Sequence, residues 1–300
     1  MQRRFATLDV FTQRRFAGNP LAVVLDAGGL DTAAMQGIAR EFNHPETVFV
    51  LPPHDRAHRA QLRIFTPARE LPFAGHPTVG TAVLLALQDG GSPGGELVLE
   101  EGVGPVRCVI EASGAGHGRV RFALPQLPAE IGPAPDDATV AAALSLAPAD
   151  IGFDRHRCSR WSAGNPFTFV PLTGLDAMRR ASPDPAIFDG AFGGGGVVAA
   201  AFLYCAECAE SGHDFHARMF APKMGLIEDP ATGSAAAAFA GVVARFAGLP
   251  DGEHTLGIEQ GYEMGRPSLI RLTMILQDGK ITAASIGGDA VLVTQGTIEA

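Results

Sequence analysis

The chain has few cysteines, few charged residues and no long apolar run, and each scarcity excludes a class of protein. Its 4 cysteines among 300 residues are too sparse for a disulfide framework. Hydrophobic residues make up 46% and charged residues 18%, which indicates a folded chain rather than a disordered one. The most apolar stretch, residues 197–206, is about half as long as the ~20 residues that a membrane-spanning helix needs.

Positive charge is scarce as well. The chain has 23 Lys and Arg residues against 32 Asp and Glu residues, a net charge of −9, and no local block of Lys or Arg offsets it. Nucleic acids and anionic membranes are therefore not expected partners. The N-terminal sequence MQRRFATLDV lacks the apolar run of a signal peptide, so we expect a cytoplasmic location.

Glycine and proline are abundant, with 37 and 22 residues, and this favours many short strands over long helices. The tetrapeptide AGNP occurs at 17–20 and at 163–166, and each copy is followed by a β-rich run, a GLD triplet and a helical stretch. The pattern Arg-x-Phe-x-Pro begins at Arg63 and again at Arg218, each time ahead of an alanine-rich segment. The offsets differ only by loop-sized amounts, which indicates duplication of a unit of roughly 140 residues.

Each unit is predicted to contain several strands and one strongly apolar helix. The pattern predicts strands at 22–25, 47–51, 60–65 and 167–170, an α-helix capped by Asp31, and two apolar helices at 77–88 and 231–248. The segments ELVLE, VRCVI, VRFALP, SLIRLTMIL, KITAASIGG and AVLVTQG are predicted strands separated by Gly-Asp turns. A helix that is apolar on nearly all sides is surrounded by protein.

The fold class predicted from these elements is α+β, with two pseudo-symmetric domains. Each domain is expected to be a mainly antiparallel β-structure wrapped around a central buried helix. The first should cover residues 1–127, completed by a C-terminal strand at 289–300, and the second residues 128–288. A cleft between two such domains is a usual place for a ligand.

The starts of the two apolar helices are candidate binding positions, because unpaired backbone N–H groups there attract carboxylates. The first start reads Gly75-His76-Pro77-Thr78, and the second reads DPATGS from Asp229 to Ser234. If the two domains face each other, both starts would hold one small carboxylated substrate.

Several of these segments resemble the phenazine-biosynthesis PhzF-like isomerases, which are relatives of diaminopimelate epimerase. The segments are ETVFV at 46–50, RIFTPARELPFAGHPTVGTA, RMFAP, EDPATGSAAAA, GRPSLIRL and GKITAASIGGDAVLV, in the same order over nearly the whole chain. The resemblance implies a pseudo-symmetric epimerase-like fold, a homodimer and no cofactor. It also implies relocation of a proton on a small carboxylate such as a dihydro-hydroxyanthranilate.

The resemblance assigns roles to individual residues. Glu46 falls on the family's catalytic glutamate, and His76 and Asp229 fall on its supporting polar pair. The implied substrate-binding residues are Gly75, Gly233 and Ser234. A glutamate that takes up and returns a proton needs a pKa nearer neutrality than that of free glutamate, and partial burial would raise it.

One departure from the family pattern lies beside the catalytic glutamate. The family usually has a small polar residue at that point, whereas this chain has Pro45, preceded by His44. This difference could alter the backbone approach to Glu46 and with it the choice of substrate.

Structural interpretations of the same residues stay open at this point. Glu46 could be a solvated edge residue, His76 a helix cap, Asp229 a turn former and Ser234 a small packing residue. AGNP is interpreted as a structural turn in both copies. A protein that keeps the fold and binds a small carboxylate without catalysis is the main alternative function.

Two further alternatives concern cysteine chemistry. Two-cysteine racemases of this architecture carry one thiol at each buried-helix start, and none of the four cysteines lies there. A zinc site is possible by spacing alone, through Cys205, Cys208, His213 and His216. A single Cys-x-x-Cys pair is weak evidence, so no metal is expected. The Gly193–Gly196 run is interpreted as a loop rather than a phosphate cradle.

Overall fold

The computed structural model describes residues 1–193, 199–224 and 226–300. The pattern of contacts divides the chain into unit 1, Met1–Pro125 with Gly287–Ala300, and unit 2, Gln126–Ile286. Most of the Gly193–Gly196 run therefore lies outside the described residues. Within the described ranges, no helix is long and apolar enough to cross a membrane.

The secondary structure is mostly strand, with few helices. The strands are β1 (Gln2–Val10), β2 (Asn19–Val24), β3 (Glu46–Leu51), β4 (Ala60–Phe65), β5 (Glu70–Leu71), β6 (Glu96–Glu101), β7 (Gly104–Gly114), β8 (His117–Ala123), β9 (Ala129–Glu130), β10 (Ser159–Ser162), β11 (Pro166–Pro171), β12 (Ala201–Cys205), β13 (Phe215–Ala221), β14 (Leu226–Asp229), β15 (Gly252–Gln260), β16 (Ser268–Gln277) and β17 (Lys280–Glu299). The helices are α1 (Thr32–Phe42), α2 (Gly75–Asp89), α3 (Asp137–Ala143), α4 (Leu175–Arg180), α5 (Phe188–Phe192) and α6 (Gly233–Phe246). Single 3₁₀ turns lie at Pro148–Asp150 and Pro222–Met224.

The strands of unit 1 form a closed ring around α2. Following the ring from β1, the strands pair in the order β1, β2, β3, β4, β6, β7, β8 and β17, and β17 pairs with β1 again. The pairs β2–β3 and β4–β6 are parallel. Every residue of α2 from Gly75 to Ala86 is buried. The predicted burial of this helix is confirmed, and it follows from the lack of any polar face.

Unit 2 places α6 against β9, β10, β11 and β16. Phe239 of α6 packs against four aromatic rings from the neighbouring strands, those of Phe169, Phe202, Tyr204 and Phe215. Gly241 faces the Trp161 ring so closely that a Cβ atom there would lie 2.3 Å from a ring carbon. The glycine therefore lets the helix approach β10, and α6 is buried as predicted.

The two AGNP copies occupy equivalent places in their units. The glycines Gly18 and Gly164 both adopt left-handed backbone conformations, with φ of +65° and +113°. The first copy leads into β2 and then α1, and the second leads into β11 and then α4. The predicted cap of α1 is also observed, because the Asp31 side chain accepts a hydrogen bond from the Ala34 backbone N–H.

One predicted turn is wrong. The sequence predicts a Gly-Asp turn between KITAASIGG and AVLVTQG, whereas β17 runs without interruption from Lys280 to Glu299. Gly287 lies against β8, where an added Cβ atom would be 2.8 Å from the Val120 carbonyl oxygen. The glycine therefore serves a close approach between two strands, and glycine within a strand often has this purpose.

Candidate active site

Glu46 is the first residue of β3, and its position is set by the parallel pairing of β3 with β2. In that register Glu46 lies opposite Leu21, the residue that follows the first AGNP. Its side chain is only 13% exposed. The interpretation of Glu46 as a solvated edge residue is therefore excluded.

His76 is the second residue of α2, and its imidazole faces Glu46. The Nε2 atom lies 3.2 Å from Oε2 of Glu46, and the His76 side chain is only 6% exposed. The ring also makes a hydrogen bond to the backbone carbonyl of Pro20. The helix start at Ala74 has no side-chain cap, so His76 does not act as a helix cap.

The protonation state of His76 follows from this environment. Burial, opposed by the Pro20 carbonyl and aided by nearby His44, lowers the pKa of His76 to about 3. The imidazole is therefore neutral at pH 7 and has one N–H group. Nε2 faces the Glu46 carboxyl group and has no hydrogen-bond partner among the described residues, so the N–H that donates to Pro20 is on Nδ1. Nε2 then has no hydrogen, and its lone pair faces the Glu46 carboxyl group.

Asp229 lies at the end of β14 in unit 2, beside the start of α6. Its Oδ2 accepts a 2.6 Å hydrogen bond from the Thr232 hydroxyl. The Gln260 side chain donates to the Asp229 backbone carbonyl at 2.7 Å, and its Oε1 accepts from the Thr232 backbone N–H at 3.0 Å. All three residues are buried. This network holds the segment that leads into α6.

The implied substrate-binding residues begin the two buried helices. Gly75 is the first residue of α2 and Gly233 is the first residue of α6. Ser234 is the second residue of α6, as His76 is of α2, and it is half-buried. Neither N-cap residue, Ala74 of α2 or Thr232 of α6, makes a side-chain cap hydrogen bond. Within unit 1 the structure brings Glu46, His76 and Gly75 together, and within unit 2 it brings together Asp229, Gly233 and Ser234.

Two contributors were missed by the sequence analysis. Pro20 belongs to the AGNP turn, which was interpreted as purely structural, yet its carbonyl holds the His76 ring. Gln260 bonds both Asp229 and Thr232 from the end of β15, 31 residues after Asp229 in the chain. A backbone carbonyl and a glutamine at a strand end leave no local signal in a sequence.

The residues of the alternative zinc site form hydrogen bonds with other groups. His213 and His216 both bond through Nδ1 to the Glu259 carboxylate, each at 2.6 Å. The Cys205 thiol donates to the Glu207 carbonyl. Among residues 1–193, 199–224 and 226–300, no group of three or more His, Cys, Asp or Glu side chains is arranged to hold a metal ion.

The cysteines are also poorly suited to act as bases. Burial raises the pKa of Cys158, Cys205 and Cys208 to about 12, and it raises that of Cys108 further. Thiols with such pKa values stay protonated at neutral pH. A two-cysteine mechanism is therefore disfavoured by protonation state as well as by position.

Comparison with known proteins assigns the class first. The chain is 49% identical to an uncharacterised isomerase of Mesorhizobium japonicum, over 99% of this chain and 98% of that protein. It is 33% identical to the trans-2,3-dihydro-3-hydroxyanthranilate isomerase of Pseudomonas fluorescens, over 98% of both chains. The protein is accordingly an enzyme of the isomerase class.

The fold and a family model then identify the family. The structure matches that of a phenazine biosynthesis protein of the PhzF family from Bacillus anthracis with a TM-score of 0.88, 26% identity and full coverage of both chains. The model of the phenazine biosynthesis-like proteins matches residues 8–296. The chain belongs to this family, as its motifs indicated.

Proposed function

We propose that the protein is a cofactor-independent isomerase that moves a proton on a small carboxylated substrate, with Glu46 as the general acid and base. The observation that carries this proposal is the 3.2 Å contact between Oε2 of Glu46 and Nε2 of a neutral, buried His76. Proton relocation needs only a group that removes a proton from one carbon and delivers it to another.

The neutral histidine makes the glutamate suitable for both halves of the reaction. When Glu46 has taken a proton, its O–H group can donate to the Nε2 lone pair, which stabilises the protonated form. When Glu46 is ionised, no buried imidazolium beside it holds the carboxylate in that state. The two forms are thereby brought closer in free energy, and a catalyst that must alternate between acid and base needs this.

A second set of proposed site residues lies at the start of α6. We assign Asp229 as the orienting or proton-sharing partner, and the helix starts at Gly75, Gly233 and Ser234 as the binding positions for the substrate carboxylate. Uncapped first turns support this assignment, since their amides attract anions. His76 and Ser234 hold equivalent positions in their own units, each as the second residue of a buried helix.

The proposed architecture is a pair of pseudo-symmetric, diaminopimelate-epimerase-like domains. It is supported by the recurrence of one pairing pattern, in which β2–β3 and β4–β6 of unit 1 correspond to β11–β12 and β13–β15 of unit 2 as the parallel pairs. We further propose a cytoplasmic homodimer, as the family resemblance implies. Sedimentation at several concentrations would report the oligomeric state.

The relative in Pseudomonas fluorescens supports a proposed substrate class, because its name gives trans-2,3-dihydro-3-hydroxyanthranilate as its substrate. We propose that this protein acts on that compound or on another cyclic amino-substituted carboxylate. Pro45 and His44 precede the catalytic glutamate and are the residues to vary if a related compound proves the better substrate.

The test is exchange of carbon-bound hydrogen with D₂O. Wild-type protein and the Glu46→Gln variant are incubated with trans-2,3-dihydro-3-hydroxyanthranilate, and deuterium incorporation is followed by proton NMR. The amide cannot accept a proton, so the rate should fall by at least about 10²-fold, the lower end of general acid–base contributions. Binding of the substrate should persist.

Glu41→Gln is the matched control, because Glu41 is an exposed glutamate on α1. It should leave the exchange rate unchanged. Undiminished exchange in the Glu46 variant would reject the assignment of Glu46. Absence of exchange in the wild type with any cyclic amino-substituted carboxylate would instead favour a carboxylate-binding protein without catalysis.

A further inference from the structure

The Arg-x-Phe-x-Pro repeat extends further than its five residues. In each copy a Glu-x-Pro-x-x-Gly segment follows, from Glu70 to Gly75 in unit 1 and from Glu228 to Gly233 in unit 2. The final glycine is the first residue of a buried helix in both units. The glutamate therefore stands at the same spacing ahead of each helix start.

In unit 2 the arginine of the first segment holds the glutamate of the second. Arg218 donates through Nε and Nη2 to the two carboxylate oxygens of Glu228, both at 2.8 Å. Its Nη1 donates to the backbone carbonyls of Met178 and Ala181, at the end of α4. Both charged side chains are nearly buried, and the guanidinium lies over the Phe220 ring. The arginine thus joins three elements.

Unit 1 contains the same arrangement. Arg63 donates through Nε and Nη2 to the two oxygens of Glu70, at 2.7 and 2.6 Å. Its guanidinium lies over the Phe65 ring, as that of Arg218 lies over Phe220. This pair is more exposed, and Nη2 has the Thr32 hydroxyl as its further partner instead of backbone carbonyls.

The strands that carry these glutamates are weakly held by their own pairing. β5 has only two residues. β14 pairs with β13 at three positions with a register shift among them, and Ile227 is 71% exposed. Neither following helix has a side-chain cap. Ladders this short fix the position of a strand only weakly. A bidentate arginine–carboxylate pair adds strong, directional hydrogen bonds.

We propose that these pairs are helix-start clamps: in each unit the Arg–Glu pair sets the position of the segment that enters the buried helix. Arg218 and Glu228 are then positioning residues for Asp229, the next residue along the chain. Arg63 and Glu70 play the same part for His76. The catalytic consequence rests on the proposed function, whereas the structural consequence does not.

The first measurement needs no substrate. Amide hydrogen exchange is compared between the wild type and Arg218→Lys at Ala236, whose N–H donates to the Thr232 carbonyl in the first turn of α6. Lysine keeps the charge but cannot make the bidentate bond, so exchange at Ala236 should be roughly tenfold faster. Exchange at Ala247, at the far end of the helix, should be unchanged.

Arg180→Lys is the matched control in unit 2, because Arg180 makes a bidentate pair with Asp150 that leads into no buried helix. It should leave Ala236 unaffected. If Arg218→Lys does not fold, Arg63→Lys gives the same test at Thr78 of α2, with Arg59→Lys as control, since Arg59 pairs with Asp89 at the other end of that helix.

The second measurement tests whether the clamp positions a site residue or only stabilises the fold. With trans-2,3-dihydro-3-hydroxyanthranilate as the probe, Arg218→Lys should lower kcat by about tenfold or more while KM changes by less than about twofold. In unit 1, the double variant Arg63→Glu with Glu70→Arg should restore most of the activity that Arg63→Glu loses, because the exposed pair can form in either direction.

The outcomes are distinguishable. Unchanged exchange at Ala236, or acceleration spread evenly to Ala247, would overturn the clamp in unit 2. Faster exchange at Ala236 with an unchanged kcat would overturn its role in positioning Asp229. A wild type without activity on the probe counts against the proposed substrate, and exchange at Ala236 and Thr78 then still decides whether the clamps exist.

Discussion

The two units treat their buried ionisable groups in opposite ways. In unit 1, His76 is buried and neutral, with a pKa of about 3. In unit 2, His216 is equally buried and charged, with a pKa of about 9. The carboxyl groups show the same contrast, since the pKa of Glu101 in unit 1 is raised to about 8 and that of Glu259 in unit 2 is lowered to about 2.

The difference lies in the partners within reach and not in the depth of burial. Burial lowers the pKa of His216, but hydrogen bonds from its ring to Glu259 and Glu263 outweigh it. Burial raises the pKa of Glu259, but His216, His213 and two backbone amides outweigh it. For His76 the Pro20 carbonyl opposes burial only in part, and for Glu101 the Thr78 hydroxyl does, so desolvation decides the state of both groups.

The contrast matches the work that each unit does in the proposed mechanism. In unit 1 a neutral histidine lies beside Glu46, the group proposed as acid and base. A charged network of His216, Glu259 and Glu263 holds the strands β13 and β15 together and has no need to titrate. Burying ion pairs of this kind costs desolvation free energy. Removing one partner is strongly destabilising, because the other charge then stays buried without compensation.

The largest expected effect comes from removing the central carboxylate of unit 2. Glu259→Gln leaves the His216 imidazolium without its main partner, so unit 2 should lose about 3–5 kcal/mol of unfolding free energy at pH 6. Urea denaturation followed by the fluorescence of Trp161, the chain's one tryptophan, reports on this unit.

The matched control for that variant is Glu253→Gln, an exposed glutamate on the same strand. It should change the free energy of unfolding by no more than about 0.5 kcal/mol. A Glu259→Gln midpoint equal to that of the control would contradict the view that unit 2 depends on its buried charges.

The same kind of substitution in unit 1 is expected to raise stability instead. The folded state keeps Glu101 protonated up to about pH 8, while the unfolded chain ionises from about pH 4.5, so wild-type stability falls as the pH rises through this range. Glu101→Gln cannot ionise and should not show this loss. Its advantage should grow from almost nothing near pH 4.5 to at most about 3 kcal/mol at pH 7.

Denaturation followed by far-UV circular dichroism at pH 5 and pH 7 measures this advantage, with Trp161 fluorescence as an internal record of unit 2. Glu96→Gln, at the exposed start of the same strand, should show almost no pH-dependent gain. If Glu101→Gln were destabilising by the same amount at both pH values, Glu101 would be an ionised, paired group and the contrast between the units would be weaker.

The smallest expected effect is that neither the His76 ring nor the His216 ring titrates near neutral pH. Between about pH 5 and pH 8, an ordinary histidine loses its proton. The ring ¹⁵N signals of His76 should stay at neutral positions throughout and those of His216 at imidazolium positions. Signals from ¹⁵N-histidine-labelled protein can be assigned by their loss in His76→Gln and His216→Gln. A titration of the ¹⁵N signals of either ring within this pH range would contradict the difference in charge between the two histidines.

Much of the fold could be predicted from local pattern. The two buried helices, the cap at Asp31 and the recurrence of AGNP are short-range features, because an apolar helix, a cap or a tight turn is encoded within a few residues. The Gly-Asp turn predicted within β17 failed for a non-local reason: the strand that Gly287 approaches lies far away in the chain.

Part of the candidate site was also predictable, though mainly from its resemblance to a family. The motifs indicate Glu46 and His76 as candidates, and the structure adds the distance between them. The roles of Pro20 and Gln260 were not predictable, since a carbonyl is present at every residue and only the paired register of strands shows which one meets a side chain.

The sequence by itself determined most of the helical and strand segments, because propensity, caps and tight turns act over short distances. Its resemblance to a family indicated which side chains are candidates for acid–base chemistry. Only the tertiary structure decided the charge on those side chains. A pKa depends on the solvent excluded and on the partners within a few ångströms, and in this protein those partners come from strands and helices distant in the chain.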